Sequence, residues 1–258
     1  MTEAMEIRFS GLDVGYGDGL ILSGLDGIVR PGVMTALIGS NGSGKSTLIR
    51  TFAGLLPYGG SLILGKRELS GMTRAELGRL LGVVPQHTKM TAQFTVFDAV
   101  ELGRLPYQGL AGTGKLSEAD ERIVMQAVAR TELDHLLLRD VTRLSGGEAQ
   151  RVSVATVLAQ DPPVMLLDEP SSALDPRHTV KVFHLLRELA DAGKTVVVAA
   201  HDVNLAAGFA DFFFAMKNGK ILFDAPVEEL DGDVLEQIYD ATFEPYVSDK
   251  GEKVWHTK

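Results

Sequence analysis

Gly39-Ser40-Asn41-Gly42-Ser43-Gly44-Lys45-Ser46-Thr47 has the residue types and spacing, G-x-x-x-x-G-K-[ST], of a loop that cradles a phosphate chain. Its glycines let successive backbone N–H groups converge on phosphate oxygens without interference from Cβ atoms. Lys45 then reaches the β- and γ-phosphates of a nucleoside triphosphate, and the Ser46 hydroxyl is a ligand for Mg2+. Far downstream, Asp168-Glu169 ends the apolar run Val164-Met165-Leu166-Leu167. A carboxylate at Asp168 belongs on the Mg2+ side of such a site, and Glu169 can hold a water for attack on the γ-phosphate. Two acids against a buried strand are costly unless a cation or a basic partner compensates them.

Weaker signals each carry two readings. Tyr16, between Gly15 and Gly17, is either an aromatic that stacks on a base or an ordinary strand tyrosine. Gln86 follows the core strand Leu81–Val84 and either reaches toward Mg2+ and its water or is a solvated loop residue. His201 follows Thr195–Ala200 and either donates to a γ-phosphate oxygen or lies free on the surface. Ser145-Gly146-Gly147-Glu148 satisfies S-x-x-E, a capping box at a helix start. The two glycines just inside that helix weaken it, yet suit an anion approaching its N-terminus.

Positioning these side chains requires alternating strands and helices. Apolar Val33–Ile38 precedes the glycine loop, and Leu48, Ile49, Phe52 and Leu55 follow it at helical spacing. The first thirty residues read as short β runs, Ile7–Phe9, Leu12–Tyr16, Ile21–Leu22 and Leu25–Val29, broken by glycine into an antiparallel meander. Thr73 with Glu76 and Thr95 with Asp98 mark two helix starts, and Ser117 with Asp120 a third. Between them, Arg104–Gly114 is too rich in Gly and Pro to be an element. Asp175-Pro176 opens a helix that runs to Gly193. Asn218-Gly219 is a hairpin turn between Asp211–Met216 and Lys220–Phe223. A last helix through Val234, Leu235, Ile238 and Tyr239, then a small hairpin around Asp249-Lys250-Gly251, close the chain; Trp255 and His256 suggest only packing or solvent.

The 258 residues suffice for a large core, and the net charge of −9 argues against a broad surface tracking nucleic-acid phosphates. With no cysteine, disulfides and thiolate metal sites are excluded. No apolar stretch is long enough to span a membrane, and Met1–Glu6 lacks the apolar run of a signal peptide, so the chain reads as cytosolic.

Taken in order, Tyr16, Gly39–Thr47, Gln86, Leu144–Glu148, Val164–Glu169, Ser172–Asp175 and His201 resemble the A-loop, Walker A, Q-loop, signature, Walker B, D-loop and H-loop of ATP-binding cassette (ABC) ATPases. Glu148 stands where the commonest signature has Gln, a familiar variant. The resemblance covers essentially the whole chain. It implies an α/β fold with a P-loop NTPase core of mainly parallel sheet, an N-terminal antiparallel β subdomain and an inserted α-helical subdomain at about 88–160. Residues from about 225 to 258 would be a small extension of that single domain. It further implies ATP and Mg2+ as ligands, with Gln86, Ser46 and Asp168 on the metal side. Ser145 and its helix start would grip the γ-phosphate in a second copy of the chain, and Asp175 would communicate between copies.

Within that family, Thr95–Tyr107 and His201–Ala207 look like the cassettes of iron–siderophore, haem and cobalamin importers, with molybdate-type cassettes close behind. The implied partners are a membrane permease, docked in a groove between the Gln86 loop and residues 95–110, and indirectly an extracytoplasmic binding protein. The chain would then lie on the cytoplasmic side of the membrane. A soluble ABC ATPase of the iron–sulfur assembly type is the main rival, and a P-loop kinase would leave Leu144–Glu148 and His201 unexplained.

Overall fold

The computed structural model describes residues 4–17, 19–86, 93–108, 116–247 and 253–258. Residues 109–114 of the expected loop Arg104–Gly114, the turn at Asp249-Lys250-Gly251 and the start of the helical segment at 88 lie outside them, as does the Tyr16 side chain. The described start of that loop is an element after all, the 3-10 helix Leu102–Tyr107, which accommodates Pro106. β1 (Ile7–Tyr16) and β2 (Gly19–Val29) pair antiparallel. They are two long strands where the sequence suggests four short runs. Gly11 and Gly24, with φ of 55° and 60°, lie near register shifts between Phe9 and Val14, so these glycines make bulges rather than turns. β3 (Met34–Ile38) leads into α1 (Lys45–Phe52). β4 (Gly59–Leu64) and the short β5 (Arg67–Glu68) complete a four-stranded antiparallel sheet in the order β2-β1-β4-β5.

α2 (Arg74–Leu80) and β6 (Leu81–Val84) follow, then α3 (Val96–Glu101), α4 (Glu118–Arg130) and α5 (Gly146–Gln160). The capping boxes at Thr73/Glu76, Thr95/Asp98 and Ser145/Glu148 are all formed. β7 (Val164–Asp168), α6 (Pro176–Asp191), β8 (Thr195–Ala199), α7 (Val203–Phe209), β9 (Phe212–Lys217) and β10 (Lys220–Pro226) build the main sheet and its cover. α8 (Gly232–Tyr239) and the hairpin β11 (Phe243–Val247) with β12 (Lys253–Thr257) end the chain.

The main sheet runs β10-β9-β3-β8-β7-β6, parallel throughout except for the β10 edge. Side chains alternate across it, as the period of two requires. Met34, Ala36, Ile38, Val196, Val198, Met165, Leu167 and Phe213 enter one apolar cluster with α6, α7 and α8. Leu37, Val197, Ala199, Val164, Leu166, Phe214 and Met216 enter another, with α1 and the antiparallel sheet. A third cluster joins α3, α4 and α5 through Val96, Val100, Val124, Val128, Val152 and Ala155. α5 is buried on nearly every side because Val154 and Val157 belong to the sheet's cluster and Val152, Ala155 and Ala159 to the helical one. Among the described residues no helix is long and apolar enough to cross a membrane.

Candidate functional site

Neighbouring parallel strands end on the same side of a sheet, and ligands collect there. β3, β8, β7 and β6 are consecutive neighbours, so the loop after each falls in one row: Gly39–Gly44, Ala200-His201, Glu169 and Pro85-Gln86. The order in space differs from that in the sequence, which is why the grouping is invisible until the topology is known.

The phosphate loop is held tightly at its base. Gly39 has φ of 148°, and a Cβ there would stand 2.1 Å from the Met216 carbonyl oxygen. Gly44 is the left-handed N-cap of α1 with φ of 106°, and it makes no side-chain cap bond. The first N–H groups of α1 are therefore left for a ligand, at the positive end of the helix dipole. The Ser43 hydroxyl is buried with no hydrogen-bond partner among the described residues. Lys45 is only 5% exposed, and its ammonium donates to the carbonyls of Gly39 at 2.7 Å and Ser40 at 3.1 Å. Burial pulls its pKa below the ordinary lysine value, while the charges of Glu169 and Asp168 oppose that fall.

Asp168, at the end of β7, is 2% exposed and accepts a hydrogen bond from the Ser46 hydroxyl at 2.8 Å. Burial pushes its carboxyl above the usual range and the neighbouring Glu169 charge adds to the rise; the Ser46 bond and the Arg50 and Lys45 charges offset part of it. A buried carboxylate beside a hydroxyl is the kind of oxygen pair that a hard divalent cation takes, the remaining positions going to phosphate oxygens and water. Among the described residues no group of three or more His, Asp or Glu side chains is placed to hold a metal alone.

Glu169, 7% exposed, sits in the left-handed region at φ of 51° just past the strand, and its N–H donates to the Ala199 carbonyl at 3.1 Å. Such a conformation is strained for a residue with a side chain and persists where the surroundings enforce it. Both carboxylate oxygens are engaged. Gln86 Nε2 donates to Oε2 at 2.5 Å, and His201 Nε2 pairs with Oε1. Gln86 thus meets Glu169, where the sequence reading put it toward the metal. An open cleft of about 290 Å3 is lined by Asn41–Thr47, Glu169, His201 and Ile21. Ile21 carries no sequence signal for this place.

Gly39, Ser40, Gln86 and Asp168 are not in that lining but adjoin it in the chain or by hydrogen bond, whereas Ser145–Glu148 and Asp175 do neither. Ser145 caps α5, its N–H and hydroxyl donating to Glu148 Oε2 at 2.7 and 2.8 Å while the hydroxyl accepts the Glu148 N–H at 3.3 Å. Ser145 and Gly146 are exposed. Gly147 has a packing reason as well, since a Cβ there would meet the Ala173 carbonyl oxygen at 3.0 Å. Asp175 caps α6, accepting the His178 N–H and contacting His178 Nδ1, both at 2.8 Å. Gly146 and Gly147 thus lie against Ala173, two positions before Asp175, and neither Leu144–Glu148 nor Asp175 is among the residues lining the cleft.

The family model described as ABC transporter matches residues 22–172, from β2 through the phosphate loop, the capped α5 and the acidic strand end. The chain belongs to the ABC transporter family. This cassette is 42% identical over 231 residues to an achromobactin transport ATP-binding protein of Dickeya dadantii, covering 88% of this chain and 85% of the relative. It is 40% identical over 238 residues to a hemin import ATP-binding protein of Streptomyces coelicolor, covering 92% and 84%. A bacterial ABC transporter cassette solved as a dimer superposes with a TM-score of 0.78 at 26% identity, covering 87% of this chain and 100% of the other. The cassette is an ATPase of this family, and the expected α/β fold with antiparallel and helical additions is the one observed.

The costs assigned to Asp168 make a separable prediction. Asp168→Asn keeps an acceptor for Ser46 and removes a carboxyl whose burial disfavours its charge. Its melting temperature is expected to equal or exceed that of the parent, while Mg2+-dependent ATP hydrolysis is lost. A melting temperature several degrees lower would contradict the assignment of Asp168 as a strained functional acid.

Proposed function

We propose that this chain is the ATP-binding and hydrolysing subunit of an importer for an iron–siderophore, haem or cobalamin-type cargo, working beneath a separate membrane permease. The observation that carries the reading is the row of strand ends at which Lys45, Glu169 and His201 line one cleft, with Asp168 bonded to Ser46 and Gln86 to Glu169 of the same lining. The importer branch is supported by the Thr95–Tyr107 and His201–Ala207 segments and by the names of the relatives.

In this reading Gly39–Thr47 wraps the phosphates with backbone N–H groups and Lys45 neutralises the β/γ end. Tyr16 stacks on the base. Ser46 and Asp168, with Gln86 nearby, hold Mg2+, which when bound supplies charge neutralisation at the phosphates. Glu169 takes a proton from the attacking water, and His201 both orients the Glu169 carboxylate and holds the γ-phosphate.

The Ser145–Glu148 segment, exposed at Ser145 and Gly146 and absent from the cleft's lining, serves the cleft of a second copy. Ser145 and the α5 N-terminus would close on that copy's γ-phosphate, with Asp175 at the seam between copies. ATP binding then draws two copies together and hydrolysis lets them part. The permease would couple to that motion at the cytoplasmic face of the membrane, and an extracytoplasmic binding protein would deliver cargo to it.

Affinity-tagged chain, expressed with its neighbouring genes and purified in detergent, is expected to bring down a multi-span permease. Purification of the chain free of any membrane protein, with the permease present in the same membranes, would count against the importer reading.

A further inference from the structure

The C-terminal helix and hairpin lie outside the cleft, yet hydrogen bonds tie them to both of its sides. α8 places Tyr239 so that its hydroxyl accepts the backbone N–H of Gly39 at 3.1 Å. Gly39 opens the phosphate loop, and its carbonyl is the closer of the two that receive the Lys45 ammonium. Nothing but hydrogen fits on the Gly39 Cα, because the β9 backbone at Met216 stands behind it. The start of the loop is therefore fixed between the β9 carbonyl and the Tyr239 phenol. Burial holds that phenol above its ordinary pKa; the Gly39 N–H opposes the rise, and the charge of Asp202 adds a smaller push upward. It is neutral near pH 7 and available as an acceptor.

The second tie runs to the other side. Asn204 lies in the first turn of α7, directly after His201-Asp202. Its Nδ2 donates to the Trp255 carbonyl at 3.0 Å and its Oδ1 accepts the Trp255 N–H at 2.6 Å. An amide side chain that matches both backbone groups of one residue replaces a strand partner for β12. The Trp255 ring is buried in the same cluster as Val203 and Ala206 of α7 and Leu235 and Ile238 of α8. The hairpin is thus anchored to the segment that carries His201, and α8 to the loop that carries Lys45.

We propose that α8 and β12 form a positioning clamp for the ATP site, with Tyr239 setting the start of the phosphate loop and the Asn204–Trp255 pair setting the His201 segment. The proposal rests on Gly39–Thr47 being the ATP site. Tyr239 and Asn204 are positioning residues: neither lines the cleft, and each acts through a group that does.

The two ties predict opposite kinetic splits. Tyr239→Phe removes one acceptor and keeps the ring tilted against Phe243, whose centroid is 5.6 Å away. Its dissociation constant for ATP is expected to rise about three- to tenfold, the usual weight of one hydrogen bond, with kcat at saturation within about twofold of the parent. Amide exchange at Gly39, followed by NMR, is expected to accelerate while the amides of β7 and β8 stay protected. Asn204→Ala is expected to leave ATP affinity intact and lower kcat several-fold, and Asn204→Asp, which keeps the acceptor, to recover part of it. If the parent binds ATP by calorimetry but Tyr239→Phe matches it in affinity and in Gly39 exchange, the clamp is refuted. Lower melting temperatures in both variants with unchanged affinity and turnover would likewise reduce the segment to packing. Failure of the parent itself to bind ATP would overturn the phosphate-loop assignment, and the clamp with it.

Discussion

Glutamine in place of Glu169 is expected to leave ATP binding unchanged, to slow hydrolysis by about 10²–10⁴ and to hold ATP-bound copies together. That loss corresponds to roughly 3–5 kcal/mol of activation barrier. The geometry explains why one atom has such weight. Glu169 is buried, in a left-handed backbone conformation, with Gln86 on one carboxylate oxygen and His201 on the other. An amide keeps that shape but cannot accept the proton of an attacking water. Phosphate release at saturating ATP reads the rate, and calorimetry reads the affinity. Turnover at the parent's rate would remove Glu169 from the mechanism.

Lys45→Ala acts on binding. The ammonium bridges the carbonyls of Gly39 and Ser40 and stands near two carboxylates, so alanine removes the loop's only buried cation and leaves both carbonyls without that donor. Charge-assisted hydrogen bonds weigh about 1.5–3 kcal/mol, so ATP affinity is expected to fall roughly ten- to a hundredfold. Titration gives an independent check, because burial lowers the pKa of Lys45 from 10.5. Between the lowered value and 10.5 the unfolded chain holds more protons than the folded one, so this group makes stability rise with pH across that window. ATP affinity moves the other way, since the ammonium discharges as pH climbs through the lowered value. Unchanged ATP affinity in Lys45→Ala would contradict the phosphate-loop assignment.

Local chemistry made most of the fold readable before the structure. The five-residue, largely apolar strands β3, β7 and β8 are fully buried because a parallel sheet is covered on both faces. Helix starts at Thr73, Thr95, Ser117, Ser145 and Asp175 follow from side-chain capping, a contact between near neighbours. Long-range geometry was not readable. The Gln86–Glu169 bond joins residues 83 positions apart, and the Gly39–Tyr239 bond residues 200 apart. Gly11 and Gly24 looked like turn residues because a bulge and a turn ask the same φ of a glycine. α7 is only seven residues, too short for periodicity to show, and its N-cap, Asp202, is evident only in the structure. Ser145 and Gly147 each have a local structural duty, in the capping box and against Ala173, so their types alone do not single out a phosphate partner.

The central claim is that each ATP site is shared, with Gly39–Thr47 from one copy and Ser145–Glu148 from another. Two variants, Lys45→Ala and Ser145→Arg, are each expected to be nearly inactive alone, and mixing them tests the claim most directly. In a mixed pair the Ser145→Arg copy supplies an intact phosphate loop and the Lys45→Ala copy an intact Ser145. Hydrolysis is expected to return, up to about a quarter of the parent's rate, since half of randomly formed pairs are mixed and each holds one intact site. If each chain instead builds its site alone, both defects stay within their own copies, and the mixture will be as inactive as its parts.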